Sequence, residues 1–476
     1  MGGSHAHGST HDDDVEVSGL ARTVLVVALA LAGLASVVGM ALLWPSAADA
    51  PEPVEFAQEG VTFPTAEVRS VGEPCPVVRA DPNAPPPAGE EGGDEPFPEG
   101  CNVLEVTVAD GDGAGDDVSL QVPPYVTRAG LVPGDDVQLI RIPTPGGAPD
   151  AGAGSGQDGP ATGSGLSPDG DASYGWSKVE RDPPLLALGI AFLVVVVAVA
   201  RLRGVLAMVG LGFAGLVVAF FMLPALLAGG NGLAVALVGS SVIMFVVLYL
   251  AHGLSVRTST ALAGTLVGIA ITTVIALWGV DSARLSGVSD DTGELLLLYA
   301  DGLDYQGLLT SAIIIAGLGV LNDVTITQSS AVWELRSAAP EMSRTRLFAS
   351  GMRIGRDHIA STIYTIVFVY VGSALAVLML TSLYERPLTE VLTDEVVAEE
   401  IVRTLASAIG LVLAVPVTTG IAALTVRPER PRPGRRARTS PAPEPPSDAP
   451  PTGTATPPGS GRRVTPGRAA SDPSPR

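Results

Sequence analysis

Long apolar segments alternate with polar loops along most of this 476-residue chain. A membrane-spanning helix needs about 20 mostly apolar residues, and eight segments approach that length. The pattern therefore predicts an all-α polytopic membrane protein with eight transmembrane helices. The eight segments are residues 24–43, 184–201, 204–226, 233–251, 260–279, 307–328, 362–382 and 402–424.

The first apolar segment has two interpretations. The small residues Ala48, Asp49 and Ala50 resemble the cleavage site of a signal peptide. However, residues 24–43 exceed the apolar region of about 7–15 residues that signal peptides carry, and the preceding stretch is acidic rather than basic. We therefore expect an uncleaved first helix, with cleavage as the alternative.

Arginine positions predict the orientation, because cytoplasmic loops carry an excess of Lys and Arg. Alternate loops are basic, and the loops between them, 279–306 and 383–401, are acidic. We therefore expect both termini in the cytoplasm and residues 44–183 outside. Lys178 is the only lysine, which indicates GC-rich coding and therefore a bacterial protein. We expect it in the bacterial plasma membrane. The basic loops carry Arg22, Arg201, Arg203, Arg257, Arg336, Arg344, Arg346, Arg353 and Arg356.

The segment between the first two helices differs in character from the rest. It holds about 25 acids and 6 bases, so it contributes most of the net charge of −21. Short alternating runs separated by turn residues predict an extracytoplasmic, β-barrel-like (OB-like) domain over residues 44–143. Residues 144–183 are expected to form a flexible linker. The predicted strands are 61–63, 67–71, 103–108, 118–122 and 137–142.

Both cysteines, Cys75 and Cys101, fall in this outer segment. Two cysteines in one small domain outside the cytoplasm usually pair, so we predict a disulfide. The acidic run 110–117 is compatible with calcium, but its glycine spacing does not match an EF-hand loop. A solvated turn is the favoured interpretation, and no metal site is predicted.

Asp323 is the candidate for chemistry within the membrane. The apolar run 308–321 is too short to cross a bilayer, so a spanning helix has to continue through Asn322, Asp323, Thr325 and Thr327. An intramembrane carboxylate is costly and usually functional, which makes Asp323 a candidate proton carrier. The alternative is a span that stops at Leu321 and leaves Asp323 at the interface.

Four sequence runs resemble the YibE/F family of multi-spanning membrane proteins, and together they indicate membership over about residues 50–425. GLGVLNDVTIT, from Gly317 to Thr327, resembles the signature GALGAxxDVAxSI, and SGMRIGRD, which ends at Asp357, resembles SGMxIGRD. A run ending at Ser373 resembles TLxLAYxGSS, and a later one ending at Pro416 resembles GxxxAVP. The matching motif positions are Gly317, Gly319, Gly351, Gly355, Arg356, Asp357, Gly372, Ser373 and Pro416.

The helix order is also similar, more distantly, to SecD/SecF and resistance-nodulation-division transporters. In those proteins one helix and an outer domain precede a bundle whose central helix carries a membrane Asp of a proton pathway. The resemblance implies that role for Asp323. The accompanying candidates for a proton or ion relay are Asn322, Thr325, Thr327, Thr362, Thr365 and Tyr370.

Together these features favour a proton-coupled transport or export component within the core 184–426. The alternative is a non-catalytic membrane scaffold whose outer domain recruits an envelope partner. The sequence contains no Walker motif and no Ser/His/Asp or Cys/His set, so neither catalytic residues nor a cofactor are predicted. The acidic balance argues against nucleic acid, and the expected partners are the lipid bilayer, an envelope protein and other copies of the chain. The terminal stretches 1–23 and 427–476 are expected to be disordered, the second being rich in Pro and Arg.

Overall fold

The computed structural model describes residues 15–46, 60–74, 102–144, 165–166, 171–289, 291–300, 302–383 and 387–429. Cys75 and Cys101 lie outside these ranges, as do most of the predicted linker and the segment 430–476. The predicted disulfide and the predicted disorder of that last segment therefore stay predictions.

Helices dominate the described residues, and most long ones begin with a polar cap. Asn231, Ser255, Asp304 and Ser343 accept hydrogen bonds from the third backbone N–H that follows each of them. The long helices are α1 (Gly19–Leu42), α3 (Asp182–Val217), α5 (Gly232–His252), α6 (Val256–Ala283), α8 (Tyr305–Ala338), α9 (Arg344–Ser373) and α12 (Glu395–Thr425). The shorter ones are α2 (Pro124–Arg128), α4 (Leu223–Leu227), α7 (Asp291–Tyr299), α10 (Leu375–Leu383) and α11 (Leu388–Thr393).

By length and composition, six helices of the described part can span a membrane, or seven if the bent pair α9–α10 forms one span. Eight were predicted. The difference lies in residues 182–227, where the two predicted spans 184–201 and 204–226 are one helical stretch, α3 followed by a π-helical turn (Val218–Met222) and α4.

This stretch is not a straight rod, because the backbone leaves the helical conformation at Arg201. Arg201 has φ 55° and ψ −136°. A methyl group on Gly204 would lie 2.6 Å from the carbonyl oxygen of Val196. A continuous helix separates residues eight apart by about 12 Å. The chain therefore folds back sharply at Arg201, the position where the sequence predicts a boundary.

The segments before α1 and after α12 pair with each other. Val17 and Val426 form an antiparallel bridge, and the Arg427 N–H donates to the Glu16 carbonyl at 2.7 Å. The Ser18 N–H donates to the Thr425 carbonyl at 2.9 Å. The start of α1 therefore lies beside the end of α12. The predicted disorder of residues 1–23 is wrong for 16–18 and for the first turn of α1.

Three helices, α6, α8 and α12, form the centre of the bundle, and α5 and α9 pack around them. Gly232 of α5 packs on Gly307 of α8, which defines the Gly232 end of the bundle. The Ser329 hydroxyl of α8 donates to the carbonyl of Arg257 on α6, which defines the Arg257 end. Buried threonines line this centre at positions 258, 260, 265, 272, 273, 310, 325, 418, 419 and 425.

The predicted β domain is a six-stranded antiparallel sheet in the order β3-β2-β1-β4-β6-β5. Because β3 also contacts β5 and β6, the sheet is nearly closed, as in an OB-like barrel. Alternate side chains of its strands fill one core, including Val68, Leu104, Leu120 and Leu139. The strands are β1 (Thr65–Pro74), β2 (Asn102–Val108), β3 (Asp117–Val122), β4 (Asp136–Pro143), β5 (Gly165–Leu166) and β6 (Ala172–Val179).

Two sequence predictions about this domain need correction. Residues 172–179 are not part of a linker, because they form β6 and pair with β4. The predicted strand 61–63 is reduced to a single bridge between Thr62 and Arg141. Tyr174 of β6 is fully buried, and its hydroxyl donates to Asp116 at 3.1 Å. Burial raises the pKa of Tyr174, and the Asp116 carboxylate adds to that effect.

Candidate functional site

Asp323 lies on α8 within the depth of the bundle. The 21 residues of α5 correspond to about 31 Å, close to the bilayer core of about 30 Å. Ser329 marks the Arg257 end, and Asp323 precedes it by six residues, or about 9 Å. The helix α8 continues without interruption from Tyr305 to Ala338, so it does not stop at Leu321.

The side chain of Asp323 points away from the centre of the bundle. Its side chain is 68 % exposed, whereas its neighbours Val324 and Thr325 are fully buried. The same exposed face of α8 carries Gly319 and Thr327. Asp323 is therefore an open carboxylate on the outer surface of the helix bundle.

His358 of α9 faces this carboxylate. Its Nε2 lies 3.9 Å from Asp323 Oδ2, and this nitrogen is buried without a hydrogen-bond partner among the described residues. The sequence alone does not pair the two residues, because 35 residues and a helix connection separate His358 from Asp323. The pair is the candidate functional site, since both groups can bind a proton.

Most of the other relay candidates near Asp323 already form hydrogen bonds, and most of these bonds stay within one helix. Thr327 donates to the Asp323 carbonyl at 2.6 Å, and Thr362 donates to the His358 carbonyl at 2.9 Å. Thr365 donates to Ser361, and Thr325 pairs with Thr265 of α6 at 2.6 Å. Asn322 is the exception, because its Oδ1 is buried without a partner in the described part.

Tyr370 does not belong to the Asp323 site. It lies twelve residues beyond His358, or about 18 Å along α9. Its hydroxyl is near Ser407, Arg403 and Glu400 of α12 instead. The structure thus divides the predicted relay residues into two separate groups.

Two motif glycines allow α9 to approach α8 and α12. A methyl group on Gly355 would lie 2.6 Å from Val415 Cγ1 and 3.0 Å from Gln328 Oε1. A methyl group on Gly351 would lie 2.9 Å from Thr419 Cγ2. The buried Gln328 fills the space between the three helices. Its Nε2 donates to the Gly351 carbonyl at 2.8 Å and to Thr419 Oγ1 at 2.7 Å.

The remaining motif residues have different surroundings. Gly317 lies beside Ser407 and Thr272, so it serves packing, while Gly319 has open space around it. Arg356 and Asp357 are exposed. Pro416 lies inside α12. Gly372 and Ser373 end α9, where Ser373 donates to the Tyr370 carbonyl at 2.9 Å.

Sequence reasoning missed three residues besides His358. Gln328 is buried at the junction of α8, α9 and α12, and its position directly after the polar run 322–327 was the available signal. The other two are Arg403 and Glu400 of α12, which form an ion pair in which Arg403 Nη1 donates to Glu400 Oε1 at 2.7 Å. Both side chains line a cavity together with Tyr370.

Comparison with known proteins agrees with the motifs. No curated protein and no solved structure matches the chain, so the SecD/SecF resemblance stays a prediction. The family model described as YibE/F-like protein matches residues 188–428, which include α5 to α12 and both groups of polar residues. With its apolar helices and this match over half of its length, the chain belongs to the YibE/F family of membrane proteins.

Proposed function

We propose that this protein is a proton-coupled transport component of the bacterial plasma membrane, in which Asp323 and His358 exchange a proton. The observation that carries the proposal is the 3.9 Å approach of the two side chains within the depth of the bundle. An ionisable residue at that depth is costly and usually functional.

The pairing of a carboxylate with an imidazole suits this role. An ionised pair and a fully neutral pair both carry no net charge, so a proton can move from one group to the other without adding charge to the membrane. Uptake of one further proton leaves the pair with a net positive charge. This difference can favour one arrangement of α8 and α9 over another.

The topology that accompanies the proposal has eight spans, with the β domain outside and both termini in the cytoplasm. The strand-like pairing of residues 16–18 with 425–427 supports it, because both segments then lie on one side of the membrane. Seven crossings between them would leave them on opposite sides. The fold-back at Arg201 supplies the eighth crossing.

The proposal is tested in vesicles that contain the purified protein, a pH-sensitive dye and an imposed membrane potential. Proton entry is expected in the wild type and is expected to fall to the level of empty vesicles in Asp323→Asn. Glu334→Gln, which changes an exposed carboxylate eleven residues further along α8, is the matched control and should behave as the wild type. If Asp323→Asn folds, inserts and conducts protons as the wild type does, the role of Asp323 is wrong.

The second candidate function is a scaffold whose outer domain recruits an envelope protein. The compact, nearly closed sheet of the β domain favours it, because such barrels often present binding surfaces. This hypothesis predicts that Asp323→Asn is harmless in cells while removal of the β domain abolishes function. The transport hypothesis predicts loss with Asp323→Asn alone.

A further inference from the structure

A second site lies where α9 bends into α10. The two helices meet at 59°, directly after Gly372 and Ser373. Gly/Ser pairs are a known cause of helix kinks. At this point the Ser373 hydroxyl donates a hydrogen bond to the Tyr370 carbonyl. The bend opens a cavity of about 520 Å³ between α9, α10 and the first half of α12.

The cavity is mostly apolar, with one polar corner. Its apolar walls include Val367, Val371, Val377, Leu378, Ile401 and Leu405. Its polar corner is formed by Glu400 and Arg403, whose ion pair measures 2.7 Å, and by the nearby Tyr370. Pockets of this volume with a few convergent polar groups are typical small-molecule sites.

The polar corner has unused hydrogen-bonding capacity. Glu400 Oε2 and Arg403 Nε are buried and have no hydrogen-bond partner among the described residues. About a quarter of each side chain stays accessible, 28 % for Glu400 and 25 % for Arg403. Buried polar atoms without partners are unfavourable, so a ligand that supplies both an acceptor and a donor is stabilised here.

We propose that this cavity binds a neutral amphipathic molecule, an acyl chain that carries an uncharged hydroxyl headgroup. The chain fits the apolar walls, and the hydroxyl can accept from Arg403 and donate to Glu400. Because the two side chains neutralise each other, a ligand with a net charge has no counter-charge left in the corner. The site is separate from the Asp323–His358 pair, because Tyr370 at its polar corner lies about 18 Å beyond His358 along α9.

Equilibrium binding of a radiolabelled monoacylglycerol to the full-length protein in nanodiscs tests this proposal. Saturable binding to one site is expected. Ala374→Trp fills the cavity and should weaken binding by about tenfold or more, and Arg403→Met should do the same by removing the donor. Val371→Trp is the second cavity-filling variant, for use if Ala374→Trp does not fold.

Three controls make the result specific. Gly319→Trp places the same indole on the open face of α8, where nothing lies within 4 Å, and should bind as the wild type. Asp323→Asn should also bind normally, which separates this site from the proton role. The anion oleate should bind about tenfold more weakly than the monoacylglycerol. Unsaturable binding, equal binding by both cavity-filling variants and the wild type, or tighter binding of oleate would each overturn the proposal.

Discussion

The imidazole of His358 faces the carboxylate of Asp323 across the contact between α8 and α9, one helical turn from Gly355, which packs on Gln328. The Asp323–His358 pair and the close approach of Gly355 are therefore neighbours along α9. Any change in the charge of the pair acts directly beside the junction that holds α8, α9 and α12 together.

Gly355→Ala should destabilise the protein by about 1–3 kcal/mol, because the added methyl group collides with Val415 and Gln328. Gly319→Ala on α8 is the matched control, because no atom of another part of the chain lies within 4 Å of the added methyl group. Thermal unfolding in detergent compares the two variants. Equal midpoints for both would show that the close approach of α9 is not required.

Lys178→Cys and Ala228→Cys, made in a chain whose native cysteines are replaced by alanine, test the number of spans. If the chain crosses the membrane twice between these positions, an impermeant thiol reagent labels both from the same side. Labelling from opposite sides would mean that residues 182–227 cross only once, and the eight-span topology would be wrong.

Strong alkali should weaken the β domain through Tyr174. Burial raises the pKa of this phenol above its usual value of about 10, so the folded state holds the proton more tightly than the unfolded state. The stabilisation is complete below pH about 10 and is lost as the pH rises through the folded-state pKa. An ultraviolet titration should show a late-ionising component that decreases by one tyrosine in Tyr174→Phe and that Tyr125→Phe, at an exposed position, leaves unchanged.

A disulfide between Cys75 and Cys101 remains a prediction that the described residues next to them favour. Pro74 and Asn102 are register partners at the ends of β1 and β2. Non-reducing mass spectrometry of the native protein should find a peptide that contains both cysteines. Quantitative thiol labelling of both residues without reductant would contradict the prediction.

Hydropathy and a few polar residues were enough to predict much of this architecture. Asp323 was identified because a 14-residue apolar run cannot span a bilayer, and the break at Arg201 because charge interrupts the apolar pattern. By contrast, β6 contains Gly175 and Lys178 and follows a Gly-rich stretch, so its pairing with β4 was hidden. His358 could not be assigned to Asp323, because only the antiparallel packing of α8 and α9 brings them together.

Infrared difference spectroscopy of the reconstituted protein tests the central claim most directly, because it detects the protonated carboxyl group itself. Among the carboxylic C=O bands that a pH jump produces in the wild type, one band should be absent from Asp323→Asn and altered in His358→Gln. The exposed control Glu334→Gln should leave the band unchanged. If Asp323→Asn gives the same band as the wild type, Asp323 does not exchange the proton, and the account of this site is contradicted.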